Sequence, residues 1–446
     1  MQIIADLHTH SRFSRAVSQK MILSEIALWS SKKGIDLVST GDWQHPVWFK
    51  EITTQLKETS SGVYALKDRP EGQKNDVNFI LTTEISSIYS QGGKVRRIHN
   101  LLFAPSFGAA ERFAKSLQTK GANIMSDGRP IVGISSRDLL EMALEVDKDF
   151  LLIPAHAWTP WFSLYGSNSG FDSLEECFGD LSDFVYGVET GLSSDPWMNW
   201  QIKDLDKRSI MSFSDAHSAP KLGREATVFV GEDNFKLSQL TFAELSNAIK
   251  KKSEKLKIGY TIEFFPEEGK YHWSGHRDCG IKYSPEEVKK NGMLCPVCGR
   301  TLTIGVEDQI IKLSHKFLEE SDLIFKQNPS GATFVIDKDK KRTPFVSLVP
   351  LLEILLETNN NSPTKAAVEY EKLTSLLGTE FDILLKKSYE EIEKVSGKKL
   401  ADAIKIVRER RVYVDPGFDG VFGKVKIFKE DAEEKKAEEQ KQMGLF

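Results

Sequence analysis

Acids and imidazoles recur just past short apolar runs in this sequence: His8 and His10, Asp42 and His45, Glu84, His99, His156, Glu189, Asp215 and His217. An H-x-H spacing puts two imidazoles on the same side of an extended backbone, and D-x-H does so for a carboxylate and an imidazole. Mixed His and carboxylate donors favour zinc, manganese or iron over calcium. A lone histidine at a strand end is more often a hydrogen-bonding residue than a ligand, but a set this large reverses that balance. Glu189 ranks behind the others, as a residue supporting a ligand.

A second donor set lies in Tyr271-His272-Trp273-Ser274-Gly275-His276-Arg277-Asp278-Cys279 with Cys295-Pro296-Val297-Cys298-Gly299-Arg300. A C-x-x-C knuckle with an upstream H-x-x-C supplies four donors for a closed tetrahedral site, so a structural Zn²⁺ is expected on His276, Cys279, Cys295 and Cys298. The spacing of His276 to Cys279 mirrors the knuckle; His272 is the alternative fourth ligand. Four cysteines in 446 residues cannot form a disulfide framework.

These donors need elements to bring them together. Ile3, Ile4 and Leu7 predict a strand ending at His8, followed by a helix capped at Ser24 and stopped at Gly34. Further strands are predicted at 35–40, 77–81, 98–103, 150–153, 184–188 and 210–213, alternating with helical patterns. That alternation is the signature of βα units, and the C-terminal ends of barrel strands open on one face, where residues distant in sequence converge. The reading is therefore α/β, with a barrel over 1–235, a connecting helix and zinc-binding module over 236–305, and a mainly helical domain over 306–428. A solvated tail with an apolar tip follows over 429–446.

Composition adds limits. The net charge is −4, with 40% hydrophobic and 28% charged residues, which excludes wholesale disorder and gives no strongly basic footprint. No apolar run reaches the ~20 residues a membrane-spanning helix needs, and Met1-Gln2-Ile3-Ile4 does not begin a secretory leader, so a cytoplasmic location without membrane contact is expected. The basic run Lys250, Lys251, Lys252, Lys255 and Lys257 reads first as a solvated helix face.

The motifs Asp6-Leu7-His8-Thr9-His10, Gly41-Asp42-Trp43-Gln44-His45, Thr83-Glu84, Pro154-Ala155-His156 and Ser214-Asp215-Ala216-His217 resemble those of the PHP (polymerase and histidinol phosphatase) superfamily. The resemblance implies a distorted seven-stranded (β/α)7 barrel, phosphoester hydrolysis and two to three catalytic divalent metals (Zn²⁺, Mn²⁺ or Mg²⁺). By position, His8, His10, Glu84 and Asp215 would hold one metal, with Glu84 bridging to a second on His99 and His156. Asp42, His45 and His217 would serve a third. Many members carry a further His soon after H-x-H, where this chain has Ser11-Arg12-Phe13-Ser14-Arg15. Metals about 3.5 to 4 Å apart can bind a phosphodiester oxygen and activate water. Lys221 and Arg224 are candidates for contacting the phosphate.

A PHP barrel followed by such a zinc module and a helical domain resembles the endonuclease Q family, on Trp158-Thr159-Pro160-Trp161-Phe162 and on H-R-D-C…C-P-V-C-G-R. This implies nicking of DNA 5′ of deaminated bases (uracil, hypoxanthine, xanthine) and abasic sites, with the base flipped from the stack. Trp158, Trp161, Phe162, Tyr165 and Phe171 are the candidates for stacking on the lesion base. The partners would be damaged DNA and, through Gln442, Met443, Leu445 and Phe446, the sliding clamp, whose groove takes a Q-L-x-L-F pattern. A nucleoid-associated protein is then expected. Two rivals are a small-molecule PHP phosphatase, which leaves the zinc module and tail without a use, and a clamp-associated DNA-binding protein with a degenerate PHP domain.

Overall fold

The structure, a computed structural model, describes residues 1–428. The clamp-binding candidates Gln442, Met443, Leu445 and Phe446 lie outside the described residues. Strand Gln2–Asp6 pairs in parallel with Leu37–Ser39, which pairs in parallel with Asn78–Ile80. Its other edge pairs antiparallel with Ala226–Gly231, and that strand with Leu256–Glu263. Ten strands make up this sheet. A four-stranded sheet holds the hairpin Thr82–Gln91 and Lys94–Phe103, with Ile131–Val132 on one edge and Leu151–Pro154 on the other; Gly187–Glu189 and Ser209–Met211 form a parallel pair.

Bonds from loops join the sheet edges. Ala104 N–H reaches Leu81 O at 2.9 Å, Ala157 N–H reaches Glu189 O at 2.9 Å, and Thr9 bridges Ala216 in parallel. The α/β fold with a helical C-terminal region is thus as expected from sequence. No single closed ladder of seven strands is present among the described residues; the strands are arranged instead as these separate sheets. One buried cluster links Ile3, Ala5 and Leu7 with Leu37, Ile80, Phe103, Met211 and Phe229, and takes in the helix Phe242–Ile249.

Local rules held at some element ends and not at others. The first helix is Leu23–Lys33, and Gly34 stops it at φ 89°, its N–H on Ser30 O. Ser24 does not cap it: Ile22 holds that position with no side-chain bond, because Ser24 already lies inside the first turn. Strand Leu256–Glu263 falls inside the stretch read as helix and zinc module, and it pairs in parallel with Phe345–Ser347. Strands Leu323–Gln327 and Thr333–Asp337 extend the same sheet. Five helices follow between Leu351 and Arg408. They are pinned to the first helix by a buried ion pair, Lys33 Nζ to Glu380 Oε2 at 3.0 Å, whose carboxylate also accepts from Tyr370 Oη at 2.9 Å and Leu351 N–H at 3.0 Å. No helix among the described residues is long and apolar enough to cross a membrane.

Candidate metal centre

The strand ends bring the donors together. Three overlapping groups form, each with ligand atoms within 4.8 Å of one another: His8, His10 and Glu84; His10, Asp215 and His217; Glu84, His99 and His156. Glu84 Oε1 lies 2.6 Å from His99 Nδ1 and 3.1 Å from His156 Nε2, while Oε2 lies 3.4 Å from His10 Nε2. Asp215 Oδ1 lies 3.1 Å from His10 Nε2 and 3.7 Å from His8 Nε2. His99 is the surprise in topology. Its strand, Lys94–Phe103, runs antiparallel to Leu151–Pro154, so His99 enters from within a returning strand rather than from a strand's C-terminal end.

Backbone at the turns after the strands is bent to aim these groups. Asp42, His156 and Asp215 all adopt positive φ, at 47°, 29° and 48°. Such conformations cost an L-residue on the order of 1 to 3 kcal/mol and concentrate where function demands them. A Cβ at Gly191 would run into His156, so glycine is needed where the chain crosses behind that imidazole.

Electrostatics follow from burial among opposite charges. Burial works against a charged His8, yet Glu189, Asp215 and Glu84 outweigh it and hold the imidazole up at about 9. Burial likewise opposes ionisation of Glu84, but His99 and Arg129 keep its carboxyl well below the usual range. Asp215 is held low by His8 and His10 against the same penalty. Burial dominates for His99, which falls to about 4.

The carboxylates behind the ligands fix tautomers. Glu189 accepts from His8 Nδ1 at 2.9 and 3.0 Å and from the His156 backbone N–H at 2.8 Å. A carboxylate only accepts here, so Nδ1 carries a hydrogen, and Nε2 is the nitrogen whose lone pair would serve a metal once its own proton is displaced. That Nε2 is buried with no hydrogen-bond partner among the described residues.

Several sequence candidates fall elsewhere. Asp42 is not among the clustered donors: Oδ1 meets His10 Nδ1 at 3.2 Å, and Oδ2 accepts from Ser11 N–H and Oγ, both at 2.6 Å, and from Ser14 Oγ at 2.9 Å. His45 caps the helix Pro46–Gln55, accepting from Trp48 N–H at 3.4 Å, with Nε2 on Met125 O at 3.3 Å. Both ring nitrogens are thus spent on backbone, and the structure does not bring Asp42 and His45 together with His217, which lies instead with His10 and Asp215. Trp158, Tyr165 and Phe171 are buried. Trp158 stacks on Tyr165 at 4.7 Å and donates to Asn199, so these two pack the inside of the loop. Trp161 and Phe162 remain partly exposed, with the Phe162 ring 4.8 Å from His99. Lys221 is exposed, whereas Arg224 donates to the carbonyls of Ser214 and Asp215 and so braces the turn that carries Asp215.

One functional candidate was missed. Arg129 donates to Glu84 Oε2 at 3.1 Å, from the loop before Ile131–Val132. The neighbouring Gly128 lets that loop approach, since a Cβ there would collide with the Asp42 carboxylate. The signal available was only Gly-Arg-Pro in a polar stretch.

The second donor set also assembles: His276, Cys279, Cys295 and Cys298 lie within 4.8 Å of one another. Gly299 N–H on Cys295 O and Cys295 N–H on Arg300 O, both at 2.8 Å, make the tight knuckle. Burial opposes a Cys295 thiolate, but the N–H groups of Cys298 and Val297 and the His276 side chain bring it down to about 6. His272 is not the fourth donor; it is buried on Ser193 O at 3.2 Å.

Known proteins match this arrangement. The lesion-specific endonuclease PfuEndoQ of Pyrococcus furiosus superposes with a TM-score of 0.78 at 31% identity, covering 96% of each chain. Endonuclease Q in complex with a 27-mer duplex, an abasic lesion at its active site, gives 0.79 at 31% identity over 96% of this chain and 98% of that one. The protein MJ0043 of Methanocaldococcus jannaschii is 30% identical over 297 residues, 64% of this chain, and the match takes in 33% of that protein's length. Residues 350–411 match the family described as the MJ0043 C-terminal domain, which takes in the five helices after Pro350. Fold and donor set together define an endonuclease of mixed α/β architecture. The chain belongs to the endonuclease Q family.

Proposed function

We propose that this protein is a DNA repair enzyme that hydrolyses the phosphodiester 5′ of deaminated bases (uracil, hypoxanthine, xanthine) and of abasic sites. The observation that carries the reading is Glu84, a carboxylate shared by two histidine groups in a chain 31% identical to an endonuclease bound to an abasic lesion. The donors fit divalent metals: His8 Nε2 is buried and unpartnered, and Glu189 has already engaged the other ring nitrogen. His8, His10, Glu84 and Asp215 would hold one ion, and Glu84, His99 and His156 a second. His217 with His10 and Asp215 offers a third place. Zn²⁺, Mn²⁺ and Mg²⁺ are the candidates, and when bound they polarise a phosphodiester oxygen and lower the pKa of water towards ~7.

The chain's own groups do the rest. Glu189 and Asp42 orient His8 and His10. Arg129, always charged and already at the centre, can donate to a phosphoryl oxygen. Phe162 borders the cluster and Trp161 precedes it in the same loop, and both are left to stack on a displaced base, worth about 1 to 3 kcal/mol each. His276, Cys279, Cys295 and Cys298 would hold a structural Zn²⁺.

The test is cleavage of end-labelled duplexes carrying uracil, hypoxanthine, an abasic site or no lesion, with Mg²⁺ or Mn²⁺ and an EDTA control. A metal-dependent nick 5′ of the lesion, abolished by Asp215→Ala, is expected; cutting that survives Asp215→Ala overturns the assignment. The tail is proposed to grip the sliding clamp, on its Q-M-G-L-F sequence alone. Deleting 442–446 is expected to abolish clamp retention in a pull-down while nicking persists.

A further inference from the structure

The end of the strands opposite the metal centre carries a basic cavity. Its position follows from register: Ser209–Met211 starts there and runs towards Asp215, a span of up to ~20 Å at about 3.3 Å per residue. Leu256 pairs with Gly231 and Gln2 with Val230, which puts the start of Leu256–Glu263 at this same end. The cavity has a volume of about 290 Å³ and is lined by Arg208, Lys251, Lys257, Lys341 and Arg342, with Asp206 as its one acid. Two of these lysines belong to the basic run that sequence reading left as a solvated face.

The charges are not balanced within the cavity. Asp206 is already engaged by Arg342 at 3.2 Å, Lys316 at 3.6 Å and His315 at 3.8 Å. Lys341 has Asp339, outside the lining, at 3.1 Å. Among the described residues no carboxylate lies within ion-pair distance of Lys251 or Lys257. Arg208 spends one amino group on Ser182 O and Asp183, yet its Nε is buried without a hydrogen-bond partner among the described residues. A buried unsatisfied donor is costly. Lys251 Nζ donates to Arg208 O at 2.8 Å, which fixes the ammonium beside that guanidinium. A fork-shaped donor and two point charges around one cleft suit a tetrahedral, multiply charged oxyanion better than a single carboxylate.

We propose that this cavity binds a phosphate group, through Arg208, Lys251 and Lys257, at a site separate from the metal centre. The phosphate could belong to a free phosphate compound or to a DNA backbone passing round the molecule. The site stands independently of the endonuclease reading.

The test compares full-length, metal-loaded wild type with Lys251→Gln/Lys257→Gln, whose exposed side chains can change without disturbing packing, and with Arg208→Gln. Inorganic phosphate is titrated calorimetrically, and affinity for a long undamaged duplex is followed against salt. Any binding at the metal centre persists in the variants, so the expected loss, on the order of tenfold, isolates the far cavity. Loss of phosphate binding with an unchanged salt slope assigns a free phosphate compound. A salt slope lowered by about two assigns the DNA backbone. Equal phosphate binding and equal slopes in wild type and both variants overturn the proposal. Nicking of a short lesion duplex is measured alongside; its rate is expected to hold, and its absence in wild type would refute the endonuclease reading instead.

Discussion

Glu84 faces four imidazoles and a guanidinium, and the position of Arg129 makes a prediction. Arg129→Ala is expected to slow single-turnover nicking about 10²- to 10³-fold, the usual cost of removing a preorganised donor from developing charge, with partial recovery in Arg129→Lys. Unchanged nicking would mean that Arg129 only balances Glu84. Sequence reading found the donors and missed this arginine for one physical reason. Most of the donors sit where strands stop, so the apolar run before them announces them, whereas Arg129 arrives on an irregular loop whose path no periodicity encodes. That Asp42 and His45 stand apart from the clustered donors was not legible, because residue type does not reveal whether a carboxylate faces an ion or a row of serines. Trp158, Tyr165 and Phe171 read as base-stacking candidates because they are aromatic and lie in a loop next to His156. The loop instead folds inward, and the glycines are what allow it: a Cβ at Gly166 or Gly170 would meet backbone.

At the scale of elements, the hairpin Thr82–Gln91 and Lys94–Phe103 departs furthest from a repeated βα pattern, and it is what delivers His99 beside Glu84. The strand at 98–103 was legible; its direction was not, since alternation of apolar residues reads the same both ways. The grouping of His276, Cys279, Cys295 and Cys298 was legible, because spacing within a knuckle is set by the turn itself. Its walls are one short helix, Pro285–Asn291, and the strands Ser274–His276 and Ile281–Tyr283, too little to hold four donors together without a metal. Cys295→Ser is expected to release one equivalent of zinc in a colorimetric assay and to lower the melting temperature. Zinc retained at full stoichiometry would count against the tetrad.

For the whole molecule, the parallel pairing of Leu256–Glu263 with Phe345–Ser347 makes the first and last thirds of the chain one sheet. Beneath it Glu225 and Glu263 are buried together; desolvation, and for Glu225 the neighbouring Glu263, pushes both carboxyls up, Glu263 to about 8. A proton kept in the folded state up to about 8, but lost near 4.5 once unfolded, stabilises fully below 4.5. That contribution is lost as pH rises towards 8. The melting temperature is therefore expected to decline from pH 5 to 8, and Glu263→Gln to flatten the decline; parallel slopes would show that the pair does not hold its proton.

The order of the donors along the chain matters before the protein ever meets DNA. His8 and His10 leave the ribosome some two hundred residues before Asp215 and His217, and the bridge between Thr9 and Ala216 needs both ends present. A nascent or truncated chain therefore carries imidazoles but no assembled centre. An endonuclease is thus kept inert until Asp215 and His217 have themselves been made.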